Sequence, residues 1–184
     1  MSSNALRQSA VVLAAAAVIG VADQASKAWA WRHVPKVQIN SGGGALPGPS
    51  VSQWYRDPVW GALLDIVTVA VLVGLALVLV RHRRNSLGLS GGAAALAGWG
   101  SNLADRLGLH DLTAPGSARG TVDFLTFGGR VWNVADMVIL LGIGTLVCGA
   151  LVEVLGRLRT SAYRRTTRRD HDRSKSAEEL VDAA

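Results

Sequence analysis

The stretch NVADMVILLGIGTLVCGALVEVL, residues 133–155, decides the fold class of this chain. After Asp136 it carries no charged residue until Glu153. A helix needs roughly 20 mostly apolar residues to cross a bilayer core about 30 Å thick. The stretch is long enough to do so, and it therefore predicts a membrane-spanning helix with a polar start.

Three earlier stretches are similar in length and apolar content, and they are residues 10–31, 59–80 and 87–107. The third is rich in glycine, which suits close helix packing more than lipid contact, at Gly91, Gly92, Gly98 and Gly100. Arg7 before the first stretch also resembles the start of a secretory signal peptide. The polar Asp23 and Lys27 disfavour that alternative, so we expect an all-α membrane protein with four transmembrane helices within residues 1–159.

Composition agrees with a membrane protein. The chain has 184 residues, 49% of them hydrophobic, and a net charge of +6. A basic chain can bind nucleic acid, but here the arginines flank the apolar stretches, so we expect no nucleic-acid partner. The single Cys148 cannot form a disulfide within the chain.

Arginines follow the second and fourth stretches, and the positive-inside rule places them in the cytoplasm with both termini. Residues 32–58 and 108–132 then face outward from the cytoplasmic membrane. The basic tail, residues 160–184, has few apolar residues and is predicted to be disordered and near anionic lipid.

Polar residues inside the apolar stretches share one depth, close to the outward ends. They are Asp23 and Lys27, Asp65, Asn102 and Asp105, and Asn133 and Asp136. Ionisable residues within a membrane are costly and usually mark function. We therefore expect one polar site near the outer membrane surface.

Each of these residues also has a structural explanation. Asn133 and Asp136 could cap a helix, and Asp23 could pair with Lys27 one turn along. Asp105 could pair with its neighbour Arg106. Asp65 is interpreted as a boundary residue of the second stretch.

Asp123 has no obvious local partner. Two carboxylates in different environments are the minimum for an aspartic peptidase, because close acids share one proton and can activate water. No metal site is expected, since the histidines lack metal-ligand spacing; they are His33, His82, His110 and His171.

Five short motifs follow one another along the chain, and they are DQASK at 23–27, NSGGGA at 40–45, SNLADR at 101–106, GTVDF at 120–124 and WNVAD at 132–136. They occur in the order found in the lipoprotein signal peptidase (signal peptidase II) family, which the chain resembles. The chain departs from the family pattern at Ser101, where glycine is usual, and in the loop around Leu46 and Pro47. The Ser101 hydroxyl is expected to crowd a helix contact.

The resemblance implies that Asp123 and Asp136 are catalytic. It implies supporting or substrate-binding roles for Asp23, Lys27, Asn40, Asn102, Asp105, Arg106 and Asn133. It also implies a monomer in contact with membrane lipids, with no cofactor, that cuts diacylglyceryl-modified prolipoproteins before the lipidated cysteine.

Two alternatives to the peptidase remain open. One is a catalytically silent relative that binds lipidated signal peptides. The other is a proton- or ion-coupled transport element, although the inward halves of the stretches are almost free of polar groups. A small extracytoplasmic β element is expected from residues 36–40, 51–55 and 120–127, with residues 42–48 as a flexible lid.

Overall fold

The computed structural model describes residues 3–41, 49–81 and 86–182, which form a mainly helical protein with small sheets. The helices are α1 (Ser3–His33), α2 (Pro49–Arg56), α3 (Pro58–Arg81), α4 (Ser86–Ala104), α5 (His110–Thr113) and α6 (Val134–Asp182). A π-helical turn, Asp105–Leu109, joins α4 to α5. The strands are β1 (Gln38–Ile39), β2 (Val122–Asp123), β3 (Leu125–Phe127) and β4 (Arg130–Trp132).

The four apolar stretches all form long helices, namely α1, α3, α4 with its π-helical turn, and α6. Among the described residues, two segments are long and apolar enough to cross a membrane: Pro58–Leu75 of α3 and Val134–Gly156 of α6. Many of their large apolar side chains are exposed, including Val67, Val71 and Leu141. These helices have apolar faces that the rest of the protein does not cover.

Helix α4 lies at the centre, in contact with α1, α3 and α6. Its contact with α6 is close because two glycines face that helix. A Cβ atom on Gly98 would lie 2.7 Å from the Ala135 carbonyl oxygen, and one on Gly91 would lie 2.6 Å from the Gly142 carbonyl oxygen. The predicted role of glycine in packing is confirmed at these two positions, whereas Gly92 and Gly100 face open space.

The strands form two small antiparallel sheets. Strand β1 pairs with β2, so that Gln38 lies opposite Asp123, and β3 pairs with β4 through a turn at Gly128 and Gly129. Strands were expected in residues 36–40 and 120–127, and both segments contain them.

The strand predicted at residues 51–55 is wrong, because this segment belongs to α2. Pro49 is the first residue of α2, a position that proline favours because its missing N–H is not needed there. Val51 and Tyr55 are one helical turn apart and both are partly buried, while Gln53 and Trp54 are exposed. This spacing of apolar residues is that of an amphipathic helix.

Two further expectations concern segments outside the bundle. The loop predicted as a lid, residues 42–48, lies outside the described residues. Residues 160–182, predicted to be disordered, continue α6 to Asp182 in the structure. No glycine or proline occurs after Gly156 to end the helix.

Candidate active site

A polar site lies at the end of the bundle where α1 and α4 end and α6 begins. The buried Lys27 Nζ is 2.6 Å from Asp23 Oδ2 and 2.7 Å from Asp105 Oδ2. It also donates a hydrogen bond of 2.8 Å to Asn102 Oδ1. Buried charges are tolerated when they are paired and hydrogen-bonded. We call these four residues the Lys27 cluster, which ties the end of α1 to the end of α4.

The Asp23 carboxylate extends this connection to α6. Its Oδ1 accepts a 2.7 Å hydrogen bond from the Ala135 backbone N–H, and its Oδ2 accepts one of 2.7 Å from Ser101 Oγ. Gln24 Nε2 in turn donates to Ser101 Oγ over 2.9 Å and to Asp105 Oδ1 over 3.0 Å. The expectation that Ser101 crowds a helix contact is wrong, because its buried hydroxyl joins α4 to α1 through these hydrogen bonds.

Asn133 and Asp136 form a reciprocal cap at the start of α6. The Asp136 N–H donates to Asn133 Oδ1 over 2.9 Å, and the Asn133 N–H donates to Asp136 Oδ2 over 3.1 Å. This is the pattern of a capping box. The capping role does not use all their polar atoms, because Asp136 Oδ1 also accepts a 3.1 Å bond from Asn102 Nδ2.

Asn133 also reaches the second candidate acid. Its Nδ2 donates a 2.7 Å hydrogen bond to Asp123 Oδ1, so one asparagine contacts both carboxyl groups. Asp123 Oδ2 accepts two further bonds from Ser41, 2.9 Å from its N–H and 2.6 Å from its hydroxyl. Asp123 and Asp136, which are 13 positions apart in the sequence, therefore meet around Asn133.

Burial raises the pKa of the Asp123 carboxyl above its ordinary value, because little water is left to solvate the charged form. The hydrogen bonds from Ser41 and Asn133 oppose this rise, as does the more distant charge of Lys27. These direct donors are all neutral groups. Asp123 is thus held in an environment in which its protonated form is accessible.

Asn40 fixes the segment that leads into β2. Its backbone takes a positive φ of 48°, and its Nδ2 donates to the Arg119 carbonyl oxygen over 2.9 Å. Its Oδ1 accepts a 3.0 Å bond from the Thr121 N–H. Between these two contacts lies Gly120, with a φ of 152°, where a Cβ atom would overlap the Asn40 side chain. Asn40 therefore determines the position of Asp123 from two residues away.

Arg106 is the predicted site residue that the structure places elsewhere. Its Nη1 forms an ion pair with the Asp65 carboxylate on α3, and its guanidinium lies 5.1 Å from the centre of the Tyr55 ring. The interpretation of Asp65 as a boundary residue is wrong, since it is buried and paired. The alternative pairing of Asp105 with Arg106 is also wrong, because Asp105 pairs with Lys27.

The structure thus brings together all but one of the predicted site residues. Two residues that hydrogen-bond the predicted site residues were missed by the sequence reasoning, namely Gln24 and Ser41. Gln24 lies within the DQASK motif and Ser41 within the NSGGGA motif, so the motifs were the signal that could have found them.

The metal-binding potential of the site is also defined by its side chains. Within residues 3–41, 49–81 and 86–182, no three His, Cys, Asp or Glu side chains are arranged to hold a metal ion. What the arrangement offers instead is two carboxyl groups that share one hydrogen-bonding partner. Neighbouring carboxyl groups cannot both ionise at low cost, so one tends to keep a proton.

The fold and site together define a class: a helical bundle that encloses two neighbouring carboxyl groups at one end. The family pattern described as Signal peptidase (SPase) II matches residues 15–152, which is most of the chain. The chain belongs to this family. It is accordingly a protease of a membrane-embedded family that cleaves lipoprotein signal peptides. The comparison with curated proteins gave no match.

Proposed function

We propose that the chain is an intramembrane aspartic endopeptidase that uses Asp123 and Asp136 to activate water. Its substrates are diacylglyceryl-modified prolipoproteins, which it cuts just before the lipidated cysteine. The observation that carries the proposal is that Asn133 bonds both carboxyl groups in a chain of this family. No other buried pair of acids among the described residues combines family position with neutral donors.

In the proposed mechanism, one carboxyl group is ionised and the other protonated. The ionised group takes a proton from water while the water oxygen bonds to the scissile carbonyl carbon. The protonated group gives its proton to the carbonyl oxygen. The C–N bond then breaks as the proton taken from water passes to the leaving nitrogen, and the diol returns a proton to the other carboxyl group.

The asparagines of the site hold the two carboxyl groups in a fixed orientation relative to each other. Asn133 Nδ2 must point to Asp123 because its Oδ1 accepts from the Asp136 N–H. Asn102 is oriented in the same way, since its Oδ1 accepts from Lys27 and its Nδ2 donates to Asp136. Orientation of this kind reduces the entropy cost of reaching the reactive geometry.

We also propose that α1, α3, α4 and α6 all span the cytoplasmic membrane, with both termini in the cytoplasm. The exposed apolar faces of α3 and α6 support this arrangement, as do the arginines beyond Arg81 and Gly156. The site would then lie near the outer leaflet, where the lipid of the substrate resides. The acyl chains would lie against exposed leucine and valine side chains.

The experiment that tests the proposal is cleavage of a diacylated precursor followed by gel shift. Asp123→Asn and Asp136→Asn should each lower the rate by about 10²- to 10⁴-fold, the usual contribution of a general acid or base. An unlipidated precursor should remain uncut. Asp111→Asn is the matched control, since Asp111 is exposed and its described partner is His110.

Wild-type turnover by both Asn variants would end the proposal. The alternative, a silent relative that binds lipidated signal peptides, predicts precursor binding without release of signal peptide by the wild type. That alternative was suggested by Ser101 and by the loop after Asn40. The described contacts of Ser101 and Asn40 both help to hold the carboxyl groups in place, so neither residue argues for lost activity.

A further inference from the structure

The hydroxyl of Ser41 has two acceptors for its one hydrogen. Its Oγ is 2.6 Å from Asp123 Oδ2 and 2.9 Å from the Val131 carbonyl oxygen. The Ser41 backbone N–H makes a separate 2.9 Å bond to the same Oδ2. A hydroxyl donates one hydrogen and accepts through two lone pairs, so it can donate to only one of these acceptors at a time.

We propose that Ser41 is a positioning residue that stabilises Asp123 in both of its protonation states by turning its hydroxyl hydrogen. When Asp123 is ionised, the hydroxyl donates to Oδ2. When Asp123 is protonated, Oδ2–H donates to Ser41 Oγ, and the hydroxyl hydrogen turns to the Val131 carbonyl. This inference rests on the proposed function, in which Asp123 gains and loses a proton in each cycle.

The remaining contacts of Asp123 leave Oδ2 as the place for the proton. Each oxygen accepts one N–H bond, Oδ1 from Asn133 and Oδ2 from Ser41. In the described contacts only Oδ2 also has a neighbour, Ser41 Oγ, that can accept a hydrogen bond from a proton placed there. The titratable groups that act on Asp123 are Lys27 from α1 and Asp136 from α6. Neither is a hydrogen-bond partner of Ser41 in the described contacts, so their charges do not replace its hydroxyl.

Loss of the hydroxyl should favour the protonated form of Asp123. A hydrogen bond to an ionised group contributes more free energy than one to a neutral group. The difference corresponds to a shift of roughly one unit in the pKa of the accepting group. Ser41→Ala should therefore move at least one limb of the pH–rate profile by about one unit toward alkaline pH. The limb that moves identifies whether Asp123 is the acid or the base in the resting dyad.

A matched pair of variants separates the hydroxyl from the shape of the side chain. Ser41→Thr keeps a hydroxyl, so its pH–rate profile should keep the wild-type limbs. Ser41→Val has the shape of the threonine variant but no hydroxyl, so its pH–rate profile should shift like that of Ser41→Ala. Ser90→Ala is the control, because its exposed hydroxyl donates to the Leu87 carbonyl within α4 in the described contacts. It should shift neither limb.

The outcome does not depend on turnover alone. In detergent, ¹³C NMR of labelled aspartate, assigned by comparison with Asp123→Asn, gives the pKa of the Asp123 carboxyl directly. A lower rate with unmoved limbs and an unmoved Asp123 titration in Ser41→Ala and Ser41→Val would overturn the role of Ser41 while the peptidase stands. Absence of cleavage by the wild type would overturn the peptidase, and the NMR titration would still decide the role of Ser41.

Discussion

Two regions of the bundle bury carboxyl groups in different ways. On α3, Asp65 is paired directly with the Arg106 guanidinium. Around Asn133, Asp123 and Asp136 receive their direct hydrogen bonds from neutral amides and a hydroxyl. A neighbouring cation favours the ionised form of a carboxyl group, whereas neutral donors favour it less. The difference separates a carboxyl group that stabilises the fold from a pair suited to proton transfer.

The Lys27 cluster lies between these two cases. Its cation neutralises one of two carboxylates. Asn102 bonds both Lys27 and Asp136, so the described contacts connect the cation to Asp136 only through this amide. A direct bond from Lys27 to Asp136 would hold that acid ionised. Asn102 thus keeps the positive charge of Lys27 near Asp136 but outside the described hydrogen bonds of that carboxyl group.

The largest expected effects come from replacing one carboxyl group in each region, which tests the difference between them directly. Asp123→Asn should lower cleavage by about 10²- to 10⁴-fold with little change in the free energy of unfolding. Asp65→Asn should lower the free energy of unfolding by about 3–5 kcal/mol, because Arg106 is left buried without its counter-ion. Cleavage per folded molecule should stay near the wild-type rate in Asp65→Asn. Unfolding in detergent measures the stability of each variant, and the gel shift measures its cleavage rate. If Asp65→Asn lost cleavage and Asp123→Asn lost stability instead, the distinction between the two regions would be refuted.

A second prediction concerns the hydroxyl that joins α1 to α4. Ser101→Ala should lower the free energy of unfolding by about 1.5–3 kcal/mol, since the lost bond is to the Asp23 carboxyl group, which pairs with Lys27. Ser90→Ala, which removes an exposed hydroxyl from the same helix, should change it by less than about 0.5 kcal/mol. Equal effects of the two substitutions would mean that the Asp23 contact contributes nothing.

The third prediction tests how Asn40 positions Asp123. Gly120→Ala should cost about 1–3 kcal/mol of unfolding free energy and also lower cleavage, because the new Cβ displaces the Asn40 side chain. Gly116→Ala is the matched control, since Gly116 also has a positive φ, of 78°, but faces open space. It carries the backbone strain alone, so it should leave cleavage unchanged. Similar losses of cleavage in both variants would argue against the Asn40 contact.

The smallest expected effect is on the pH dependence of stability. Because burial raises the pKa of Asp123, its protonated form stabilises the fold below the ordinary value of 3.8, and this contribution is lost as pH rises through the raised pKa. Asp123→Asn mimics the protonated form and should lack this loss. The unfolding free energy of the wild type should therefore fall relative to the variant above about pH 4. Parallel curves over that range would show that the pKa is not raised.

The long helices could be predicted because their apolar stretches have the length that a bilayer requires. The shared depth of Asp23, Asn102 and Asp136 followed from their positions near the ends of those stretches. The partner of Arg106 could not be predicted in this way. It depends on how α3 packs beside α4, and the sequence spacing of Asp65 carries no information on that packing.

Strand prediction failed at residues 51–55 for a similar reason. Val51 and Tyr55 have high β propensity, which reflects packing in a sheet more than a backbone preference. Among the described residues no strand lies beside them, and the segment forms α2, which places the Tyr55 ring against the Arg106 guanidinium. The role of Ser41 was also hidden, because its contact with Asp123 crosses 82 positions of sequence.

The β3–β4 hairpin lies between Asp123 and Asn133 in the sequence. The side chains of these two residues close its base with a 2.7 Å hydrogen bond. A second closure, 2.8 Å long, runs from the Phe124 N–H to the Trp132 carbonyl oxygen. Because these two bonds hold the base of the hairpin, a change in the exposed turn at Gly128 and Gly129 should not displace the carboxyl groups of Asp123 and Asp136. A reporter such as a short epitope or a fluorophore inserted there should therefore be tolerated, giving a handle for following the enzyme in living membranes.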